Sequence, residues 1–316
     1  MKCYSSQFAV RGLQLIQKTV YFNGEKSVLI RCIRVNPCAI ANLALLITSH
    51  YIIFFLALCF LKFCSVLSAV IITFNEEKNI ERCILSVKEI ADEIIVVDSF
   101  STDRTEEICA RQGVRFIKHA FEGYIEQKNW AKEQASYDFV LSLDADEALS
   151  GELRDSISKV KENPSVEGYY FNRLTNYCGQ WIRHCGWYPD RKLRLWDRRK
   201  GSWMGVNPHD EFFLHDGARK QFLQGDLLHY SFYTVDQHLA QINKFSSIKA
   251  QGMFDRGIKP SCLKMIISPA FKFFRDYVIK LGFLDGYFGY LVCRNSAYST
   301  FLKYAKLKAL YKTKAL

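Results

Sequence analysis

A parallel α/β sheet covered on both faces by helices is the fold class this sequence predicts, on three observations. From Ser68 to Leu143, short β-branched runs alternate with segments that carry helical spacing. The runs are apolar nearly throughout, as strands buried on both faces must be. Polar clusters fall at the carboxyl ends of three of them (Thr73/Asn75, Asp98 and Asp144/Asp146), where open α/β sheets bind ligands.

Ala69-Val-Ile-Ile-Thr-Phe74 reads as the first strand and ends in a polar turn. Ile80, Cys83, Ile84 and Val87 recur at helical spacing, so Ile80 to Ile90 reads as a helix. Glu93-Ile-Ile-Val-Val-Asp98 is the second strand and Arg104 to Arg111 the second helix. Val114-Arg-Phe-Ile117, Ile125 to Ala135 and Tyr137 to Leu143 supply the third strand, third helix and fourth strand. After Ser150 the repeat gives way to mixed helix and short strands as far as Tyr233, and Thr234 to Phe254 reads as a helix. Cys262 to Leu281 is apolar or aromatic apart from a narrow stripe at Lys264, Ser268, Lys272, Arg275/Asp276 and Lys280. Pro269 should kink that helix or delay its start.

The 316 residues are 49% hydrophobic and 24% charged, which excludes a disordered or low-complexity chain. Eleven cysteines without a CxxC pair give neither a disulfide framework nor a zinc module, so mostly free thiols are expected. The net charge of +11 is uneven: +6 over residues 1–65, −5 over 66–255 and +10 over 256–316. A nucleic-acid enzyme would place basic charge around its active surface, and here that surface belongs to the acidic centre. Nucleic acid is therefore not an expected partner.

Three regions follow: an N-terminal extension over 1–65, a catalytic domain over 66–233, and a helical, basic C-terminal region over 234–316. Ala39 to Leu61 contains 23 residues without Asp, Glu, Lys or Arg, long enough as a helix to cross a bilayer. Asn42, Thr48, Ser49 and His50 weaken it, and the basic residues before it would send everything after Leu61 outward. The alternative is a dispensable extension, or a start assigned too early. The expected localisation is cytoplasmic and peripheral on the inner leaflet, through the Cys262–Leu281 segment, with an N-terminal transmembrane helix as the other option.

Asp144-Ala-Asp146-Glu147 follows a strand, where two carboxylates can present oxygens to a divalent ion that also grips phosphate. Asp98 closes the second strand, and a carboxylate there can accept hydrogen bonds from a base or ribose. Ser101, Thr102 and Asp103 after it suit a helix cap.

Four ordered segments carry a resemblance: Ile71-Ile-Thr-Phe-Asn75-Glu76, Ile94-Ile-Val-Val-Asp98-Ser-x-Ser-Thr-Asp103-x-Thr105, Gln127-Lys128-Asn129 and Leu143-Asp-Ala-Asp-Glu147. Together they resemble family 2 glycosyltransferases of the GT-A fold, in particular the enzymes related to lipopolysaccharide-core β-glucosyltransferases. The resemblance spans roughly residues 67–310. It implies inverting transfer of a sugar, glucose before others, from a UDP-sugar with Mg²⁺ or Mn²⁺. The acceptor it implies is a lipid-linked or core oligosaccharide. Thr73 and Asn75 would line the nucleotide pocket, Asp98 would accept from uracil, and Asp144 would face the ribose or sugar. Asp146 would hold the metal. Lys128 stands where the family commonly has Arg, so it offers a point charge rather than a planar fork.

Gly205-Val-Asn-Pro-His209-Asp210-Glu211 resembles the family segment with a carboxylate near the acceptor. Asp210 is the first choice for the base that removes the acceptor proton and Glu211 the second. Otherwise one of them pairs with Arg191, Arg194 or Arg198. His229 is either a further metal ligand or a structural hydrogen-bonder. Arg191, Lys192 and Arg194 could meet diphosphate or an anionic acceptor, or remain solvated. Trp181, Trp187, Trp196 and Trp203 could stack on sugars or fill the core. Two rivals stand against this reading. A nucleotidyltransferase should have a Gly-rich loop after the first strand, and Thr73 to Lys78 has no glycine. A non-catalytic glycan-binding or membrane scaffold would not need Asp144, Asp146 and Asp210 intact.

Overall fold

The computed structural model describes residues 66–206 and 209–314, and the backbone of three strands between Cys3 and Ile30. The chain divides into two compact units, Met1–Lys62 and Phe63–Leu316. In the first, β1 (Cys3–Val10), β2 (Leu13–Phe22) and β3 (Glu25–Ile30) form an antiparallel sheet in that order.

In the second unit, β4 (Leu67–Thr73), β5 (Glu93–Asp98), β6 (Arg115–Lys118) and β7 (Phe139–Asp144) lie parallel in the order β6-β5-β4-β7. Helices α1 (Ile80–Val87), α2 (Thr105–Gln112) and α3 (Tyr124–Glu133) make the crossovers. Successive strand side chains point to opposite faces. Leu67, Ala69 and Ile71 of β4 accordingly join one core layer with Val96, Leu141 and Leu143. Val70 joins the other, with Ile95, Val97 and Val140. Both faces are dry, which is why these runs show no apolar–polar alternation. Each such buried aliphatic side chain contributes roughly 1.5–3 kcal/mol.

Next come β8 (Glu147–Leu149), α4 (Gly151–Glu162), β9 (Gly168–Tyr177), β10 (Gln180–Ile182) and β11 (Asp190–Asp197). They are followed by β12 (Gly201–Val206), β13 (His209–Leu214) and β14 (Lys220–Phe232). β11 runs antiparallel to β7 and carries the sheet over to β9, β14 and β8, so the whole is mixed. β12 and β13 form a separate antiparallel hairpin. The strands after Ser150 are longer than expected, ten residues in β9 and thirteen in β14. Asn172 and Arg173 in β9, and Asp226 and His229 in β14, disguise them as surface. Arg173 and His229 turn instead to Glu147 and Asp146, while Asn172 and Asp226 hold the Tyr188 hydroxyl.

The C-terminal region holds α5 (Val235–Asp255), α6 (Cys262–Phe274), a π-helical turn over Arg275–Ile279, and α7 (Gly286–Lys314). Thr234 and Gln237 form a capping box that fixes the start of α5. Pro269 lies inside α6, which begins at Cys262 under a Ser261 cap, so its start is not delayed. No residue of α6 is buried, and Leu263, Ile266, Ile267, Phe271 and Phe274 are each more than half exposed.

The expected localisation is corrected here. Among the described residues no helix is long and apolar enough to cross a membrane. α6 has only 13 residues, and the longer α7 carries Arg294, Lys303, Lys306, Lys308, Lys312 and Lys314. The run Ala39–Leu61 lies outside the described residues.

Candidate active site

The carboxyl ends of β4, β5 and β7 meet at one edge of the sheet, and the loops that leave them are tied together. Asn75, at φ +53, accepts from the Thr102 N–H at 2.8 Å, while its own N–H donates to Ser101 Oγ at 2.8 Å. Left-handed backbone is tolerated by Asn, whose short polar side chain bonds locally. Thr73 is buried, and its Oγ1 has no hydrogen-bond partner among the described residues. Asp98 is fully buried, and both its oxygens accept from Ser101, through the backbone N–H and the hydroxyl. Its carboxylate thus shapes the loop, and it shares no hydrogen bond with Asp144, Asp146 or Lys128 among the described residues.

Lys128 reaches inward from α3 with its side chain 4% exposed. Its ammonium lies 2.8 Å from Asp210 Oδ2 and 3.0 Å from Asp144 Oδ1, and 4.6 Å from the centre of the Trp203 ring. Arg194, equally buried on β11, donates from Nη2 to Asp144 at 2.8 Å and to Glu147 at 3.0 Å. Arg173 on β9 adds a contact to Glu147 at 3.4 Å and a closer one to Asp190 at 2.8 Å. Burial alone would push the Asp144 carboxyl up. Arg194 and Lys128 outweigh it and hold that carboxyl far below the usual range.

Asp146 faces a different partner. Its Oδ2 lies 3.1 Å from His229 Nε2, and His229 reaches Thr175 Oγ1 through Nδ1 at 3.5 Å. Burial raises the Asp146 carboxyl, but His229 lowers it on balance. One carboxylate and one imidazole suit a divalent ion that takes its other ligands from phosphate and water. Among the described residues no group of three or more His, Cys, Asp or Glu side chains is arranged to hold an ion unaided.

Strand geometry separates the two acids of the hairpin. Asp210 and Glu211 are adjacent on β13, so their side chains leave on opposite faces. Asp210 turns to Lys128 and is 11% exposed, while Glu211 is exposed and forms no ion pair among the described residues. Among the described residues neither forms an ion pair with Arg191, Arg194 or Arg198, although the Asp210 charge acts on Arg194.

The family model for glycosyl transferase family 2 matches residues 68–218. An uncharacterized glycosyltransferase of Rickettsia bellii is 34% identical over 254 residues, 77% of this chain and 86% of that one. The chain belongs to glycosyltransferase family 2. The lipopolysaccharide core biosynthesis glycosyltransferase LpsC of Rhizobium meliloti is 31% identical to this glycosyltransferase, over 79% of this chain and 94% of LpsC. The fold of this chain, a mixed sheet flanked by helices with a helical C-terminal region, is the GT-A arrangement. The solved structure of glucosyl-3-phosphoglycerate synthase from Mycobacterium tuberculosis with Mn²⁺ and UDP-glucose matches at 23% identity and a TM-score of 0.31. That match covers 35% of this glycosyltransferase and 44% of the synthase.

Several residues at the site give weak signals in the sequence. Arg194 reads there as one of three cations that meet diphosphate or an anionic acceptor or else stay solvated, and it is the buried partner of two carboxylates. Glu147 reads as part of a motif without a role of its own. Arg82 lies 3.6 Å from the centre of the Tyr230 ring, and its buried Nη1 has no partner among the described residues. Glu76 is pushed up to about 7 by burial and by the nearby Asp146 and Asp103, against a hydrogen bond from Asn79. Tyr124, at the start of α3, is raised by burial and by Asp144, Asp210 and Asp146. The four tryptophans do not form one sugar platform. Trp196 stacks on Phe212 at 3.9 Å in the core, Trp203 underlies Lys128, Trp181 meets Tyr230 and Trp187 meets Tyr177. The cysteines among the described residues are free thiols.

Proposed function

We propose that this glycosyltransferase moves a sugar, glucose before others, from a UDP-sugar to a lipopolysaccharide-core type oligosaccharide, lipid-linked or free, with inversion. The observation that carries the reading is the gathering of Asp144 and Asp210 on Lys128, with the Asp146–His229 pair alongside. Thr73 and Asn75 take the uridine, the unpartnered Thr73 hydroxyl being available to it, and Asp98, expected to accept from uracil, would have to exchange its contacts with Ser101 to do so. Asp144 receives ribose or sugar hydroxyls. Lys128 meets the diphosphate as a point charge, and by turning to it releases Asp210. Asp210 then accepts the acceptor hydroxyl proton as that oxygen bonds to the anomeric carbon and the bond to diphosphate breaks. Asp146 and His229 would hold Mg²⁺ or Mn²⁺, which supplies positive charge for the departing diphosphate.

The similarity to LpsC over most of both chains supports the acceptor class. The test is UDP release from UDP-glucose, UDP-galactose and UDP-N-acetylglucosamine with Mn²⁺ and a purified core oligosaccharide. The expected result is UDP release with one donor, and an oligosaccharide heavier by one sugar whose anomeric configuration is inverted. Retained configuration, or no release with any donor, overturns the reading.

A further inference from the structure

Away from the carboxylates, a cavity of about 360 Å³ opens between the loop that joins β10 to β11 and the turn after Ile279. Its lining includes Arg183, His184, Gly186, Tyr188 and Lys280, and no carboxylate. Two of those side chains, Arg183 and Lys280, are basic, and both are open to solvent. Among the described residues neither the Arg183 guanidinium nor the Lys280 ammonium forms an ion pair.

The walls are fixed from both sides. Asp285 is buried and accepts from the backbone N–H of Arg183 at 3.3 Å, from that of His184 at 2.7 Å, and from His184 Nδ1 at 2.8 Å. The carboxylate is used up in ordering the loop behind the cavity. The Cys185 N–H donates to the Lys280 carbonyl at 3.2 Å, joining loop to turn. Cys185 and Leu281 sit at φ +60 and +53, positions that non-glycine residues hold only where their surroundings dictate it. Gly186, at φ +75, is bare where Lys280 crosses it. A Cβ there would stand 2.5 Å from Lys280 Nζ and 2.6 Å from its Cδ. Lys280 therefore lies across the loop rather than reaching away from it. Tyr188 is anchored by its hydroxyl to Asp226 at 2.9 Å and Asn172 at 3.2 Å, and its ring faces the Arg183 guanidinium at 5.7 Å.

We propose that this cavity is an acceptor subsite that binds an oxyanion, a sugar carboxylate or phosphate, through Arg183 and Lys280. Resting on the glycosyl-transfer reading, it deepens that reading by making the acceptor an acidic saccharide. The nucleotide has its own place at the ends of β4, β5 and β7. The cavity wall runs on through Pro189 to Asp190, whose partner Arg173 reaches Glu147 behind Asp144. An acidic saccharide held here has its remaining sugars to offer to the transfer site. Two cations without counter-ions, set into a concave wall with an aromatic ring, match an anionic sugar in both charge and shape.

The test is direct binding to the full chain with UDP saturating the donor site. The probes are galacturonate, glucose 6-phosphate and, as neutral control, glucose, followed by ligand-observed NMR. One or both acidic sugars should bind where glucose does not, and the one that binds identifies the oxyanion. In Arg183→Gln/Lys280→Gln that affinity should fall at least tenfold, and the single variants separate the two contributions. An unchanged thermal midpoint shows that the double variant folds. Equal binding of glucose, no binding of either acidic sugar, or undiminished affinity in a folded double variant overturns the subsite. Because none of these readouts requires turnover, a failure here is distinct from a failure of sugar transfer.

Discussion

The Lys128 ammonium lies 2.8 Å from Asp210 Oδ2, so a helix that follows the third strand of the parallel sheet holds a carboxylate of a hairpin 82 residues later. That contact sets Asp210 beside Lys128, which also holds Asp144, and leaves Glu211 exposed on the other face of the strand. Asp210→Asn should lower kcat by roughly 10²–10⁴, the usual contribution of a positioned base, with little change in the donor KM. Glu211→Gln should leave turnover within about twofold, since exposed substitutions away from special features act weakly. Steady-state rates of UDP release check both. The reverse pattern would exchange the two roles.

Asp146→Ala should abolish transfer and remove the part of UDP affinity that depends on Mn²⁺. With one of two protein donors gone, an ion shared with the diphosphate keeps too few ligands. Titration of UDP with and without Mn²⁺ reads the effect. His229→Ala should weaken the same metal-dependent increment, while metal-free UDP binding stays level. An increment that survives both substitutions would remove the metal from this pair.

Arg194→Met should destabilise the fold by about 3–5 kcal/mol, the range for breaking a buried ion pair and leaving charge behind. Asp144 and Glu147 would each lose their contact to Arg194 Nη2, at 2.8 Å and 3.0 Å. Urea unfolding of the variant beside the wild type measures it. A loss below about 1 kcal/mol would mean that Lys128 and Arg173 suffice.

Glu76 gives a pH dependence of known sign. Its carboxyl titrates near 7 in the folded chain against an ordinary 4.5. Between those values the folded chain keeps a proton that the unfolded chain has released. This group therefore costs stability as pH rises through that window and nothing below it. The wild type should lose more stability than Glu76→Gln between pH 5 and pH 8, read as urea midpoints. An equal loss in both would refute the assignment.

The parallel half of the fold was legible because its strands are buried on both faces, a constraint that β5 expresses residue by residue: Ile94, Ile95, Val96 and Val97 all face core. The Asp144/Asp146 cluster was legible for a related reason, since a strand end fixes where its next residues lie. The mixed half was harder. Arg194 is buried, and Arg173 partly so, only because Asp144 and Glu147 meet them from other strands, and nothing within β9 or β11 announces those partners. The sequence also left Asp210 and Glu211 as rivals. Which of them faces Lys128 depends on which face of β13 meets α3, a tertiary fact seen in the Lys128–Asp210 contact and in the Asn129–Trp203 hydrogen bonds that tie α3 to β12. The exposed apolar side of α6 could be recognised as unusual, but not as uncovered, from its pattern alone.

The opposed faces of Asp210 and Glu211 make this hairpin sensitive to length as well as to composition. Removing one residue between Gly201 and Asp210 would rotate the next acid into the place of the first, because a strand repeats every two positions. The protein would then present a glutamate, one methylene longer, to Lys128, and turn the aspartate to solvent. A point-substitution library across β12 and β13 would find Asp210 indispensable. A deletion library would ask whether the chemistry needs an aspartate or only a carboxylate on that side, and a partly active deletion carrying Glu211 inward would answer for the carboxylate.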